Sequence, residues 1–455
     1  MLLSTLGTSI ANVALPTLAG LFGVSFAAVQ WVVLAYLLAV TSFLVAAGRL
    51  GDLVGRRRLL AVGIVSFTAA AALAAGAPSI TVLIAARALQ GLGGAVMIAH
   101  TVALVGGAVS PARAGSAMGL LGAMSAVGTA LGPSLGGGLI AVFGWRAIFL
   151  VQVPLGLLAL WLVVRGLPAE PRTERGARGG FDPFGTLLLA GSLAAWALAM
   201  TDRSGPFGPR ALVLLAAAAV AALLFVLVER RVAAPLLRLS LFRSADLTTG
   251  LLLNLAVSTV VMATLVVGPF HLSRSLGLDA ARVGAVLSVG PLVAALAGVP
   301  AGRLVDRIGA AGMATLGLAA MLVGAGSLVL LPATLGVPGY AAPIAVLTAG
   351  YAVFQAANNT AVMAAAAEQR GLVSGVLNLS RNLGLITGVA VLGAVFTAGA
   401  GGGDVATAAP GAIDHAMRVT FAVAAGLLGA ALFAATNRAR AQRRTRFAAP
   451  HVGQA

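Results

Sequence analysis

An all-α integral membrane protein with fourteen transmembrane helices is the fold class this sequence predicts, and three observations predict it. The 455-residue chain is 60% hydrophobic and 9% charged, with a mean hydropathy of +1.04. A soluble core cannot hide that much apolar surface, so lipid is the solvent that suits it. Fourteen apolar runs approach the ~20 residues that a membrane span needs. Finally, a basic stretch between two such runs, Gly48-Arg-Leu-Gly-Asp-Leu-Val-Gly-Arg-Arg-Arg58, returns as Gly302-Arg-Leu-Val-Asp-Arg-Ile-Gly309. The copies agree at Gly48/Gly302, Arg49/Arg303, Leu50/Leu304, Asp52/Asp306 and Gly55/Gly309, as expected of a duplicated membrane unit.

In chain order the runs are 1–22, 30–47, 58–77, 80–108, 115–142, 146–166, 182–201, 210–228, 246–270, 282–301, 311–331, 342–366, 371–398 and 417–436. The first carries Pro16 and has no charged leader, so no cleavable signal is expected; a true start upstream of Met1 stays open. The two basic stretches lie 254 residues apart. Eight steps between spans 2 and 10 make about 32 residues each, a span plus a short loop. The six steps of a twelve-span layout would need about 42, which the short loops forbid. Two extra spans therefore sit between the halves. The predicted organisation is a six-helix bundle over 1–166, a polar cytoplasmic linker over 167–181, two additional helices within 182–228, a second six-helix bundle over 229–436 and a basic, disordered tail over 437–455. The glycine-rich stretch Gly399–Val405 reads as an outer loop before the last span.

All 29 basic residues are arginine, and cysteine is absent. Thiol catalysis, disulfides and Cys-based zinc sites are excluded, as is a phosphate loop that needs lysine. No metalloprotease or nucleophile-elbow motif is present, so the chain reads as no enzyme, with no cofactor and no metal. A formal charge of +17 raises nucleic acid as a partner, but the arginines sit in short loops between apolar runs, which is the pattern of topology signals. With a cytoplasmic N-terminus, 21 arginines fall on the inner side and 6 on the outer, and Arg87 and Arg381 lie inside spans. That asymmetry predicts a multi-pass protein of the plasma (inner) membrane with both termini cytoplasmic. The arginines of the tail suit anionic lipid head groups.

The Gly48–Arg58 stretch resembles the loop between spans 2 and 3 of the major facilitator superfamily. The whole chain resembles, within it, the fourteen-span drug–proton antiporters. The resemblance implies two six-helix bundles plus two extra central helices, rocking about a central cavity, and secondary active export of small amphipathic compounds coupled to protons. Asn12-Val-Ala-Leu-Pro16, Gly144-Trp145-Arg146 through Pro154, and Gly371 through Gly384 match further family segments. Gly48, Arg49, Asp52, Gly55, Arg56 and Arg57, with Gly302, Arg303 and Asp306, then read as a gate. A carboxylate there can pair with arginine and face a neighbouring helix N-terminus. The plainer reading is that Arg56, Arg57 and Arg58 merely set orientation.

Arg87-Ala-Leu-Gln90-Gly91 resembles the family's buried-arginine motif. Arg87 lies about 7 residues, or ~10 Å, into span 4. An arginine that deep normally faces the bundle interior or a water-filled cavity, the alternative being a snorkelling side chain. Gly128-Thr-Ala-Leu-Gly132-Pro133-Ser-Leu-Gly136-Gly137-Gly138 resembles the antiporter motif associated with exporters; its four-residue glycine spacing also suits an ordinary packing seam. Arg381, ten residues into span 13, needs a counter-charge or cavity water as well, and Asn378 lies near it.

One departure bears on coupling. Where the family's first-span motif carries an aspartate, this chain has Gly7, and no Asp or Glu lies near any span centre. The remaining proton-carrying candidates are His100, which serves equally as a packing residue, and carboxylates at span edges. Without an intramembrane acid, a cationic cargo finds no partner, so a neutral or anionic amphipath is the expected substrate. Polar candidates for the cavity are Asn12, Gln30, Tyr36, Gln152, Asn254, Gln355, Asn358, Asn359, Asn378 and Asn382, any of which can instead bond a neighbouring helix. An importer or facilitator on the same fold, and a transport-inactive sensor, stay open as alternatives.

Overall fold

The computed structural model describes residues 1–108, 111–167, 182–202, 208–232, 244–331, 335–364, 370–402, 405 and 407–448. Fourteen long helices succeed one another among them. These are α1 (Leu2–Phe22), α2 (Trp31–Val54), α3 (Arg56–Ala75), α4 (Ile80–Ala108), α5 (Pro111–Phe143), α6 (Ala147–Gly166), α7 (Pro183–Met200) and α8 (Pro209–Glu229). They continue as α9 (Ala245–Ser275), α10 (Ala280–Ile308), α11 (Ala310–Leu330), α12 (Gly336–Ala364), α13 (Arg370–Thr387, continued by Gly388–Leu392 and Gly393–Gly399) and α14 (Pro410–Ala448). Thirteen are long and apolar enough to cross a bilayer, and α5 adds a shorter apolar segment, Val127–Phe143. Helices suit this solvent because each closes its own backbone hydrogen bonds. Hydroxyls inside them bond back one turn: Thr41 to Leu37 O at 2.6 Å, Thr68 to Ile64 O at 2.7 Å and Thr101 to Met97 O at 2.6 Å.

Burial sorts the helices. The apolar windows of α1, α2 and α9 are 72%, 67% and 67% buried, while those of α7 and α8 are 22% and 17%. The first three are the inner walls of the two bundles. The extra pair, central in sequence, is peripheral in space: α7 packs on α8 and along α2, and Trp31 Nε1 donates to Thr201 Oγ1 at 3.1 Å.

The duplication runs deeper than the basic stretches. Gly63 and Gly317 are also 254 residues apart. A side chain on Gly93 of α4 would sit 2.7 Å from Phe67 N and 2.8 Å from Gly63 O of α3. One on Gly350 of α12 would meet Gly317 O and Met321 N of α11 at 2.6 and 2.7 Å. The same glycine-on-glycine contact therefore holds α3 to α4 in one half and α11 to α12 in the other. Small residues are what let membrane helices approach this closely.

The structure corrects the reading of the basic stretches as loops. Residues up to Val54 and Ile308 are helical, and the turn shrinks to one residue in each copy, Gly55 (φ 101°, ψ 128°) and Gly309 (φ 96°, ψ 149°). Positive φ in this region is open to glycine and costly for other residues. Asp306 thus sits in the last turn of α10, exposed, and forms no ion pair among the described residues. A carboxylate there faces its own helix's negative end, which disfavours it unless another group intervenes. The Asp52 side chain and Glu368 lie outside the described residues. Arg57 Nη2 donates to Val164 O at 2.7 Å, satisfying an open carbonyl in the last turn of α6.

A second correction concerns the tail. It is helical as far as Ala448, as a continuation of α14; Arg438 at its start donates from Nε to Asp246 Oδ1 at 2.8 Å, tying α14 to the first turn of α9. The 437–455 stretch lacks Gly and Pro until Pro450 and Gly453, so nothing breaks the helix as it leaves the apolar span.

The matched glycines give a direct test. Gly302 and Gly309 both face open space, and only Gly309 has positive φ. Gly309→Val should therefore cost ~1–3 kcal/mol of stability from backbone strain, while Gly302→Ala, inside a helix, should be neutral or gain up to ~1 kcal/mol. Thermal unfolding of the purified variants in one detergent checks the order.

Candidate functional site

A cavity of about 210 Å³ lies between the bundles. From α1 it takes Thr5, Thr8, Ser9 and Asn12, and from α13 Asn378, Arg381, Asn382 and Leu385. Each set follows the spacing i, i+3, i+4, i+7, one face of a helix. Tyr36 of α2, Thr129 of α5, Thr264 of α9, and Tyr340 and Tyr351 of α12 complete the polar lining. Arg381 is the one charged side chain among the described lining residues, and its buried Nε has no hydrogen-bond partner among them. Asn12 Nδ2 is held by Ser9 O at 3.2 Å, leaving its Oδ1 unpartnered. The lining reaches Leu44 and Ala294, within a few turns of the basic stretches.

The opposite end is shut. Phe26, in a short helix before α2, meets Phe270 edge-on with centroids 4.7 Å apart and Phe396 at 5.4 Å. Gln30 Nε2 donates to Val389 O at 3.2 Å. Both contacts join an N-terminal segment to the C-terminal bundle.

The glycine-rich stretch of α5 has two faces. Gly128, Gly132 and Gly136 lie against α1, where an added Cβ would strike Thr5, Ser9 and Ile10 respectively, and Ser9 Oγ donates to Gly128 O at 3.2 Å. Gly137 faces α10 instead: its Cβ would sit 2.9 Å from Gly284 Cα, and a Cβ on Gly284 would strike Pro133 O. One face closes a seam within a bundle and the other a seam between bundles.

Arg87 is fully buried but does not line the cavity, so of the places open to so deep an arginine it takes the bundle interior. Its guanidinium stacks 4.4 Å from the Tyr36 ring centre, and Tyr36 is the wall between the two. Nε donates to Val32 O at 2.9 Å and Nη1 to Gln90 Oε1. Gln90 Nε2 passes the chain to Gln152 Oε1 at 2.9 Å, and Gln152 Nε2 ends it on Ile148 O at 2.8 Å. Gly7 faces this chain, with an added Cβ 2.7 Å from the Phe67 ring and 3.2 Å from Gln152 Oε1. Two amides therefore answer the buried cation next to the position where the resembling family carries its acid.

His100 is also outside the cavity lining. Its ring lies where a side chain on Gly51 would be, and Nδ1 is 2.8 Å from Val96 O. Asn254 and Asn358 bond across helices, to Leu377 O at 3.0 Å and Gly250 O at 3.1 Å, and Gln355 bonds Tyr351 within α12 at 3.1 Å. Among the named amides, Asn12, Asn378 and Asn382 reach the cavity. The threonines of α1 and the tyrosines of α12 were missed as lining residues; the Thr5–Thr8–Ser9–Asn12 spacing was the signal that marked the first group.

A profile of the Major Facilitator Superfamily matches residues 1–389. The chain belongs to that superfamily. It is 31% identical to the riboflavin transporter RibZ of Clostridioides difficile (strain 630), over 87% of this chain and 85% of that one. It is 34% identical to the multidrug resistance protein Stp of Mycobacterium tuberculosis (strain ATCC 25618 / H37Rv), over 86% and 72%. Its fold matches a bacterial homologue of the human lysosomal transporter Spinster with a TM-score of 0.67 at 15% identity, covering 96% of this chain and 94% of that one. This superfamily member is thus a multi-pass membrane protein with two six-helix bundles and two extra helices.

Two substitutions test the geometry. Gln90→Leu strands both Arg87 and Gln152 and should cost ~1–3 kcal/mol per unsatisfied group, read as a lower unfolding temperature. Gly137→Val should hold the α5–α10 seam apart. Spin labels at the exposed Val142 and Arg282, introduced as cysteines in this cysteine-free chain, should then report a longer distance than in the unsubstituted background.

Proposed function

We propose that this chain is a secondary active exporter of neutral or anionic amphipathic small molecules. It works by alternating access, is coupled to protons, and resides in the plasma membrane with both termini cytoplasmic. The observation that carries the reading is the cavity itself: apolar and hydroxyl-rich, shared by both bundles, with Arg381 as the one charged side chain and no carboxylate among its described lining residues. A guanidinium with an unpaired nitrogen in a cavity favours an anion, which can take paired, charge-assisted hydrogen bonds. The names of Stp and RibZ support an exporter and a flavin-sized amphipath respectively. The arginine asymmetry supports the orientation.

Alternating access has parts to work with. The Phe26 cluster and the Gly137–Gly284 contact seal the end away from the basic stretches, while the cavity extends toward them. Opening one end and closing the other requires the α5–α10 seam to part while the seam between α5 and α1 holds. The basic stretches, one in each half, are placed to restrain the opposite end.

Riboflavin and its 5′-phosphate differ in charge and share the ring system, so they separate the two demands on the site. In inverted vesicles the wild type should accumulate both in preference to ethidium. Arg381→Ala should lower transport of the phosphate about tenfold or more, as loss of a hydrogen-bonded charge pair worth ~1.5–3 kcal/mol requires. Riboflavin transport should change by less than about threefold. A preference for ethidium, or equal losses for both flavins, would refute the cargo class.

A further inference from the structure

A second titratable cluster lies at the end of the C-terminal bundle remote from the basic stretches. His271 opens the last, widened turn of α9 and is buried. Its Nδ1 is 3.1 Å from Asp414 Oδ1 on α14, ion-pair distance, although its angle falls outside hydrogen-bond geometry. Ser275 Oγ, one turn on, donates to the same carboxylate oxygen. The imidazole also stacks on Tyr340 of α12, with centroids 5.8 Å apart and planes at 28°.

Tyr340 is what makes the cluster more than a staple between α9 and α14. It lines the central cavity, and it also lines a small separate cavity of about 30 Å³ with His271, Asp414 and Arg418. That volume has room for water, and Arg418 beside it is exposed. The Tyr340 hydroxyl donates at 3.3 Å to the carbonyl of Thr264, another lining residue of the central cavity. The His271–Asp414 pair therefore has a small polar cavity on one side and a single ring between it and the cargo space on the other.

We infer that His271 and Asp414 form the proton-binding site that couples this transporter to a proton gradient, an inference that rests on the exporter reading above. Among the described residues, the groups facing the imidazole are few. From α14 they are Asp414 and Arg418, with His415 exposed beside them; from α12 it is Tyr340; Arg274 of the same turn is exposed. On α10, Asp279 and Arg282 are exposed and satisfy one another at 3.5 Å. Among the described residues, Asp414 is thus the one carboxylate within ion-pair distance of His271. With the pair together, the imidazole takes a proton from water in the small cavity and holds it against its counter-ion. Movement of α14 relative to α9 separates them, and the proton leaves to water. Tyr340, touching both cavities, links that step to what occupies the cargo space.

The test uses the full chain, labelled with ¹⁵N-histidine, in nanodiscs. The chain has four histidines, so His271→Gln assigns the signal of His271 by its loss. The expected result is a change from neutral to protonated imidazole between about pH 5 and 8, with a midpoint that moves in Asp414→Asn. In proteoliposomes, riboflavin accumulation driven by the pH gradient should fall to the no-gradient level in both variants, while gradient-free riboflavin exchange, which reports a folded transporter, persists. A His271 ring that does not titrate, or a midpoint unmoved in Asp414→Asn, overturns the inference, as does gradient-driven accumulation retained in both variants. A titrating His271 in a wild type whose riboflavin export ignores the pH gradient instead overturns the exporter reading, and the coupling role with it.

Discussion

Close approach of helix backbones is the constraint on which this structure depends. Lipid tails are as apolar as leucine, so burying apolar side chains does not drive these helices together as it would in water; packing contact and internal hydrogen bonds must. The chain meets this demand with glycine where two backbones meet. Gly63 with Gly93, and Gly317 with Gly350, hold the matching helix pairs of the two halves at a distance that admits no side chain. Pairs locked in this way move as units. The mobility needed for transport then falls to the contacts between the bundles, and those are more varied in kind: an aromatic cluster at Phe26, an amide on Val389 O, and the glycine seam between α5 and α10.

The same solvent makes the two intramembrane arginines informative, because each must find its partners inside the protein. Their outcomes differ. Arg87 is answered by a carbonyl, a tyrosine face and a relay of two glutamines running to α6. Gly7 lies against that relay, which relies on amides in place of a carboxylate. The Nη2 of Arg87 is buried without a hydrogen-bond partner among the described residues, and Tyr36 closes it off from the cavity. Arg381 has its unpaired nitrogen, Nε, on a side chain that lines the central cavity. Only one of the two therefore faces the central cavity.

Much of the fold was legible in the chain. Span count, the doubled basic stretch and the extra central pair follow from apolar run length and a fixed 254-residue offset, which are one-dimensional quantities. The offset even contained the Gly63/Gly317 match. The site was less legible, because depth along a helix does not tell direction around it. Arg87 and Arg381 look alike by depth, yet one faces a neighbouring helix and the other a cavity. The polar stripe Thr5–Thr8–Ser9–Asn12 could be read from its spacing, whereas Tyr340 and the His271–Asp414 pair could not: residues 271 and 414 are brought together only by the packing of α14 on α9. The helical run beyond Asn437 was misjudged because charge was read as disorder, although the stretch carries no helix breaker until Pro450.

The arrangement of α5 connects these points. Successive residues of a helix point about 100° apart, so Gly136 and Gly137 necessarily serve different neighbours. Gly136, with Gly128 and Gly132, fixes α5 to α1 within one bundle, and Gly137 lies on Gly284 across the divide. Pro133 sits between the two functions, and its carbonyl belongs to the second seam. A helix packed this closely on both faces passes a shift of α1 on to α10. α1 supplies the cavity's hydroxyl stripe, so a ligand that moves α1 acts directly on the contact that keeps the far end shut.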